Sequence, residues 1–226
     1  MMHPLDQPIW SALTTRQKNL AEGGGRARRF PPAIGPFADL VDMSPQSFAE
    51  LGALMSGSEI AVLFTPDAVA APDGFKILLA DTGEQMIGTP AQSALTGAEI
   101  VTLGAADVPD MMELIDLTKP GPFGLRTHEL GTFLGIRIDG QLVAMTGERM
   151  KPGNYTEMTA VCVHPDHRGR GYAQALLGVV ASQIVARGEI PFLHVFSSNE
   201  SAIALYRRQG MEIHRRLHVT VLQKRM

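Results

Sequence analysis

The stretch from Val163 to Ala173, VHPDHRGRGYA, puts two glycines and two arginines at the entry to an apolar-periodic run. A strand feeding a glycine-rich turn and then a helix offers a ring of unpaired backbone N–H groups. The helix dipole adds roughly half a positive charge there. Gly169 and Gly171 let a ligand reach the backbone with no Cβ in the way, and Arg168 and Arg170 supply fixed positive charge. The chemistry that suits this arrangement is the binding of a phosphate or diphosphate. It is not the Walker loop, because no Lys-Ser/Thr pair follows. It is not the Rossmann fingerprint, because one of its three glycines is missing and the strand leading in comes late in the chain. The other glycine-basic stretch, Gly23 to Arg29, also lacks the Lys-Ser/Thr ending and reads as a flexible turn. His164 and His167 flank the anion turn. With no carboxylate or cysteine partner at ligand spacing, they read as solvated polar residues, and no metal site is expected.

The elements that must carry this turn follow from periodicity. A helix is expected over Ile9–Ala21, then extended chain. Ser44 reads as an N-cap with Pro45 at the first helical position, followed by the stripe Phe48, Leu51, Leu54 and Met55. Residues 59–64 and 75–80 read as strands. Asp81-Thr82-Gly83-Glu84 reads as a turn, with the following QMIGT returning as a hairpin. From Glu99 the alternation is regular: a strand at 99–104, a helix from Asp107, then strands at 131–138 and 141–150 joined by Asp139-Gly140, a two-residue hairpin signal. A strand at 155–163, a helix over Gly169–Arg187 and a strand at 192–196 come next. A short helix over Glu200–Gln209 is capped by Asn199 and Gly210, and strand-like sequence closes the chain. Antiparallel strands followed by a strand–helix–strand crossover give an α/β (mixed α+β) fold. Its central sheet is mixed and mostly antiparallel, with helices on both faces.

The 226 residues suffice for one large domain or two small ones, and 19% charged residues is ordinary for a soluble globular chain. No apolar run spans a bilayer, and the N-terminus lacks a basic-then-apolar leader, so the expectation is a cytoplasmic protein without membrane contact. Cys162 is the one cysteine and, between Val161 and Val163, reads as a buried small hydrophobe. The net charge of −3 is unevenly spread. Residues 1–113 carry 6 Lys/Arg against 14 Asp/Glu, and residues 114–226 carry 14 against 9. The basic second half suits an anionic ligand, and the overall acidity argues against nucleic acid.

Two motifs together resemble the GNAT superfamily of acyl-CoA-dependent N-acetyltransferases. The first is Arg168-Gly169-Arg170-Gly171-Tyr172-Ala173 after Val163-His164-Pro165. The second runs from Asn199 through Ala202, Leu205 and Tyr206 to Gly210, with Met211 where phenylalanine is usual. The resemblance covers residues 99–226 and is nearest the branch of glycine N-acyltransferase-like proteins. It implies a GNAT domain at 99–226 behind a smaller N-terminal α/β region at 1–98. That region is read as a degenerate second half, a dimerisation region or a substrate lid; a homodimer is left open.

By the resemblance, acetyl-CoA is the cosubstrate and the acceptor is a primary amine of a small molecule or peptide. The backbone of Arg168, Gly169, Arg170, Gly171, Tyr172 and Ala173 would hold the CoA diphosphate. The edge of Val161, Cys162 and Val163 would pair with the pantetheine arm, and the sheet would splay after that strand. Asn199 and Tyr206 would face the cofactor, with Tyr206 as the acid that protonates the departing thiolate. Glu157 is the first candidate base, Glu148 the second and a water chain the third. His194 is read as a proton relay or a core histidine. Leu117–Leu130, with Arg126, His128 and Glu129, would help form the acceptor pocket. The alternative reading is a non-catalytic CoA-binding or regulatory module on the same fold.

Overall fold

The computed structural model describes residues 3–92 and 98–225. Local signals set several elements. Ser44 accepts from the Ser47 N–H and Pro45 begins α2 (Pro45–Leu54). Asp139 and Gly140 both take positive φ, 50° and 84°, as a two-residue hairpin requires, and join β7 (Phe133–Ile138) to β8 (Gln141–Glu148). Asn199 accepts from the Ala202 N–H and opens α5 (Glu200–Arg208). The first helix, α1 (Pro8–Thr14), is shorter than its expected 9–21 span. The hydroxyls of Thr14 and Thr15 turn back onto the carbonyls of Trp10 and Ser11, and the chain leaves the helix there.

A small sheet of β1 (Glu22–Gly23), β2 (Ala27–Arg29) and β3 (Ala38–Leu40) follows α1, so the glycine-rich stretch is a tight antiparallel connection. The main sheet has eight strands. They are β4 (Ile60–Thr65), β5 (Phe75–Ile87), β6 (Ile100–Leu103), β7, β8, β9 (Tyr155–Val163), β10 (Ile190–Phe196) and β11 (Glu212–Lys224). Their order is β4-β11-β5-β10-β9-β8-β7-β6, and every pair is antiparallel except β10 with β9.

The hairpin expected at 81–84 does not form. β5 runs straight through Gly83, because β11 pairs with it from Phe75 to Ile87. β4 and β5, from residues 1–98, lie in the same sheet as the later strands, and β5 sits between β11 and β10.

The two faces are covered by different helices. On β10, Leu193 and Val195 pack with α4 (Tyr172–Ala186) and Tyr206, whereas Phe192 packs on the other side with Ile9 and Leu13 of α1. On β8 and β9, Met145 and Cys162 face Met111, Leu114 and Ile115 of α3 (Val108–Thr118). Among the described residues, no helix is long and apolar enough to cross a membrane.

Candidate active site

The turn at Gly169 and Gly171 forms as its glycines require. Gly169 and Gly171 sit at φ 76° and 79°, a left-handed conformation that delays the start of α4 from the expected Gly169 to Tyr172. α4 has no side-chain cap. Among the described residues, the backbone N–H groups from Gly169 to Gln174 have no acceptor, and the first helical bond is Ala175 N–H to Gly171 O. Added Cβ atoms at Gly169 and Gly171 would meet no atom of the described residues within 4 Å, so the turn is open on that side. Arg168 and Arg170 are exposed, with long contacts to the carbonyls of Val163 and Asp166. Tyr172 is buried as the first residue of α4. His164 accepts from the Asp166 N–H and stacks edge-on against His167. Among the described residues, no three His, Cys, Asp or Glu side chains converge as a metal site.

β9 and β10 pair in parallel only from Ile190↔Tyr155 to Phe192↔Glu157, and then separate. Among the described residues, the edge of Met158–Val163 that faces β10 therefore has no strand partner. Ala160, at φ 53°, marks an irregularity in the pairing of β9 with β8, which skips between Thr159↔Gly147 and Cys162↔Met145. A cavity of about 290 Å³ opens where the strands part. Val161, Asn199 and Tyr206 line it. Cys162 points to the opposite face, and burial pushes its thiol up to about 11. Of the expected cofactor edge, Cys162 thus lies outside the cavity: it pairs with Met145, in step with the His164 N–H that donates to the Val143 carbonyl, so its backbone faces β8.

Tyr206 is buried and lines the cavity. Burial first, and then the neighbouring Cys162, push its pKa up to about 12; nothing among the described residues hydrogen-bonds its hydroxyl. Asn199 serves as the α5 cap while also lining the cavity.

Glu157 is fully buried and does not line the cavity. Burial would raise its pKa, but the Arg149 guanidinium and hydrogen bonds from Arg149 and His194 outweigh this and hold it at about 2. Arg149 binds it through Nε at 2.8 Å and Nη2 at 2.6 Å. His194 Nδ1 lies 2.7 Å from the same carboxylate. On the other side of the ring, Gln85 Nε2 lies 3.1 Å from His194 Nε2 and donates to the Leu5 carbonyl. The network therefore assigns the ring proton to Nδ1, with Nε2 accepting from Gln85. Glu148, the second candidate, is buried between Lys151 at 2.9 Å and Arg187 at 2.7 Å, away from the cavity. No sequence motif marks Arg149 or Gln85. Of the expected acceptor loop, Pro120, Gly121 and Pro122 border the cavity, while Arg126 and Glu129 pair with each other at the surface.

Residues 105–211 match the model of a family described as Acetyltransferase (GNAT) family. The chain is 31% identical over 129 residues to the N-alpha-acetyltransferase RimI of Mycobacterium tuberculosis, spanning 50% of this chain and 80% of that one. This chain belongs to the GNAT acetyltransferase family. A crystal structure described as an acetyltransferase of the GNAT family, from Novosphingobium aromaticivorans, superimposes with a TM-score of 0.91 at 41% identity, covering 100% of both chains. A GCN5-related N-acetyltransferase from Kribbella flavida shares the fold at 15% identity, with a TM-score of 0.65 and 96% of each chain covered. GNAT acetyltransferases use acetyl-CoA as cosubstrate and act on amines.

Proposed function

We propose that this GNAT protein moves an acetyl group from acetyl-CoA to a primary amine of a small molecule or peptide. The observation that carries this reading is the unpartnered Tyr206 hydroxyl in the cavity where β9 and β10 separate, beside the free edge of β9. Acetyl-CoA would supply the thioester carbon that the amine attacks. The N–H groups of Gly169–Gln174 fit its diphosphate, and the edge of Met158–Val163 fits an extended amide-bearing arm. Tyr206 O–H donates the proton taken up by the leaving sulfur. Glu157 is a positioning residue in this reading. A carboxylate held at about 2 and locked by Arg149 is a poor proton acceptor for an alkylammonium, and both nitrogens of His194 are engaged. The amine proton therefore leaves through water. The placement nearest the glycine N-acyltransferase-like branch is supported by the two motifs alone and is part of this proposal.

The test is thiol release. Purified protein with acetyl-CoA should liberate CoA thiol only when an acceptor amine is present. Tight acetyl-CoA binding with no release on any amine would replace this reading with that of a non-catalytic CoA-binding module.

A further inference from the structure

The gap between β9 and β10 passes through the sheet. Tyr206 stands on the face of Leu193 and Val195, with α4 and α5. The cavity continues to the opposite face, that of Phe192, where Phe37, Val62, Phe64, Leu217 and Val219 form a buried wall. Three of these five, Phe37, Val62 and Phe64, come from the N-terminal region. Leu79, on β5 and 39% exposed, sits at the rim.

Among the described residues lining the cavity there is no carboxylate, and Arg149 is the only charged group. Its charge is offset by Glu157, and its guanidinium lies 4.1 Å from the centre of the Phe37 ring. His194 has both nitrogens engaged, and its ring centroid is 4.5 Å from that of Phe64. A second ammonium on the acceptor would find no counter-charge here and would meet a guanidinium. Against the apolar wall of Phe37, Val62, Phe64, Leu217 and Val219, a polyhydroxylated acceptor would leave hydroxyls without partners.

We propose, building on the acyl-transfer reading, that this wall is the acceptor pocket and that the acceptor is a primary amine with a single compact apolar body, the size of an aromatic ring or a branched alkyl group. The role of residues 1–98 in catalysis is then to supply this wall. Size supports the assignment. An apolar cavity of about 150 Å³ holds one benzene-sized body, so about 290 Å³ admits the acetyl thioester end and one ring.

The test uses the full chain and three probe amines, 2-phenylethylamine, ethanolamine and 1,5-diaminopentane. Each is titrated by calorimetry with and without CoA and then assayed for acetylation. The expected result is that phenylethylamine binds at least about tenfold tighter than the other two, in line with the discrimination an apolar pocket gives a ring-sized group. Leu79→Asp at the rim should weaken it, and Val219→Thr in the wall should weaken it several-fold, while acetyl-CoA affinity stays unchanged. Equal or reversed preference among the amines overturns the inference. So does a gain for benzoyl-CoA over acetyl-CoA with none for phenylethylamine, which would assign the wall to the acyl group. Failure of the acyl-transfer reading looks different: acetyl-CoA does not bind, yet the amine preference survives.

Discussion

His194 Nδ1 meets Glu157 Oε1 at 2.7 Å, just where β9 and β10 cease to pair. Together with the bidentate Arg149, this contact ties the two strands at the root of the gap. Glu157→Gln keeps the shape but leaves Arg149 buried without its counter-charge. We expect a loss of about 3–5 kcal/mol in stability, read from urea unfolding. The effect has a pH signature. The Glu157 pKa falls from 4.5 unfolded to about 2 folded, so its contribution is present above pH 4.5 and fades as pH drops toward 2. The gap between wild-type and variant stability should narrow over that window; a gap independent of pH would show that the carboxylate charge is not what matters.

Tyr206→Phe should lower turnover by about 10²–10⁴, with acetyl-CoA affinity nearly unchanged. Because burial holds the hydroxyl at about 12, it stays protonated across the working pH range. The wild-type pH–rate profile should therefore show no limb from Tyr206 below about pH 11. Steady-state kinetics together with a CoA titration checks both statements, and undiminished turnover in the variant would remove Tyr206 as the acid.

Gly171→Glu places a carboxylate at the mouth of six free N–H groups. The left-handed φ of 79° makes any side chain there mildly strained, but no atom lies within 4 Å of the new Cβ, so the fold should survive. Like-charge contact costing several kcal/mol predicts at least about 100-fold weaker acetyl-CoA binding by calorimetry, with an unchanged circular dichroism spectrum.

Asp39 on β3 is buried, and burial raises its pKa from 3.8 to about 7 against the hydrogen bonds from the Leu40 and Trp10 N–H groups. A raised folded pKa stabilises fully below pH 3.8 and loses that contribution as pH rises through 7. Compared with Asp39→Asn, wild-type stability should therefore decline between about pH 4 and 7, by up to ~1.4 kcal/mol per pH unit, and then run parallel. Thermal melts of the two proteins across pH 4–8.5 would test this; parallel curves throughout would mean Asp39 stays ionised when folded.

Local chemistry made much of this molecule readable. Ser44-Pro45, Asp139-Gly140 and Asn199 each act within a few residues of themselves, and each element they bound forms as expected. The glycine turn was legible for the same reason, since φ is a local matter, although the left-handed glycines move the start of α4 to Tyr172. The straight path of β5 was not legible. Asp81-Thr82-Gly83-Glu84 carries turn chemistry, but Glu84 is held by Arg216 and Ser197, and Gly83 packs close to the Val195 carbonyl. Those partners lie more than a hundred residues away, so long-range pairing overrode the local signal. Glu157 was conspicuous as a strand carboxylate, yet what decides its chemistry is Arg149 on a neighbouring segment and a ring from β10. No spacing rule connects the three.

The position of β5 also bears on how the chain is made. Among the described residues, β4 pairs in the main sheet with β11 alone, and β5 lies between β11 and β10. Both of these late strands, β10 and β11, leave the ribosome after the middle of the chain, and β11 follows the whole glycine-turn region. The N-terminal strands therefore wait, with hydrophobic faces uncovered, through most of synthesis. This non-local pairing should make folding slow and the nascent chain dependent on protection from association.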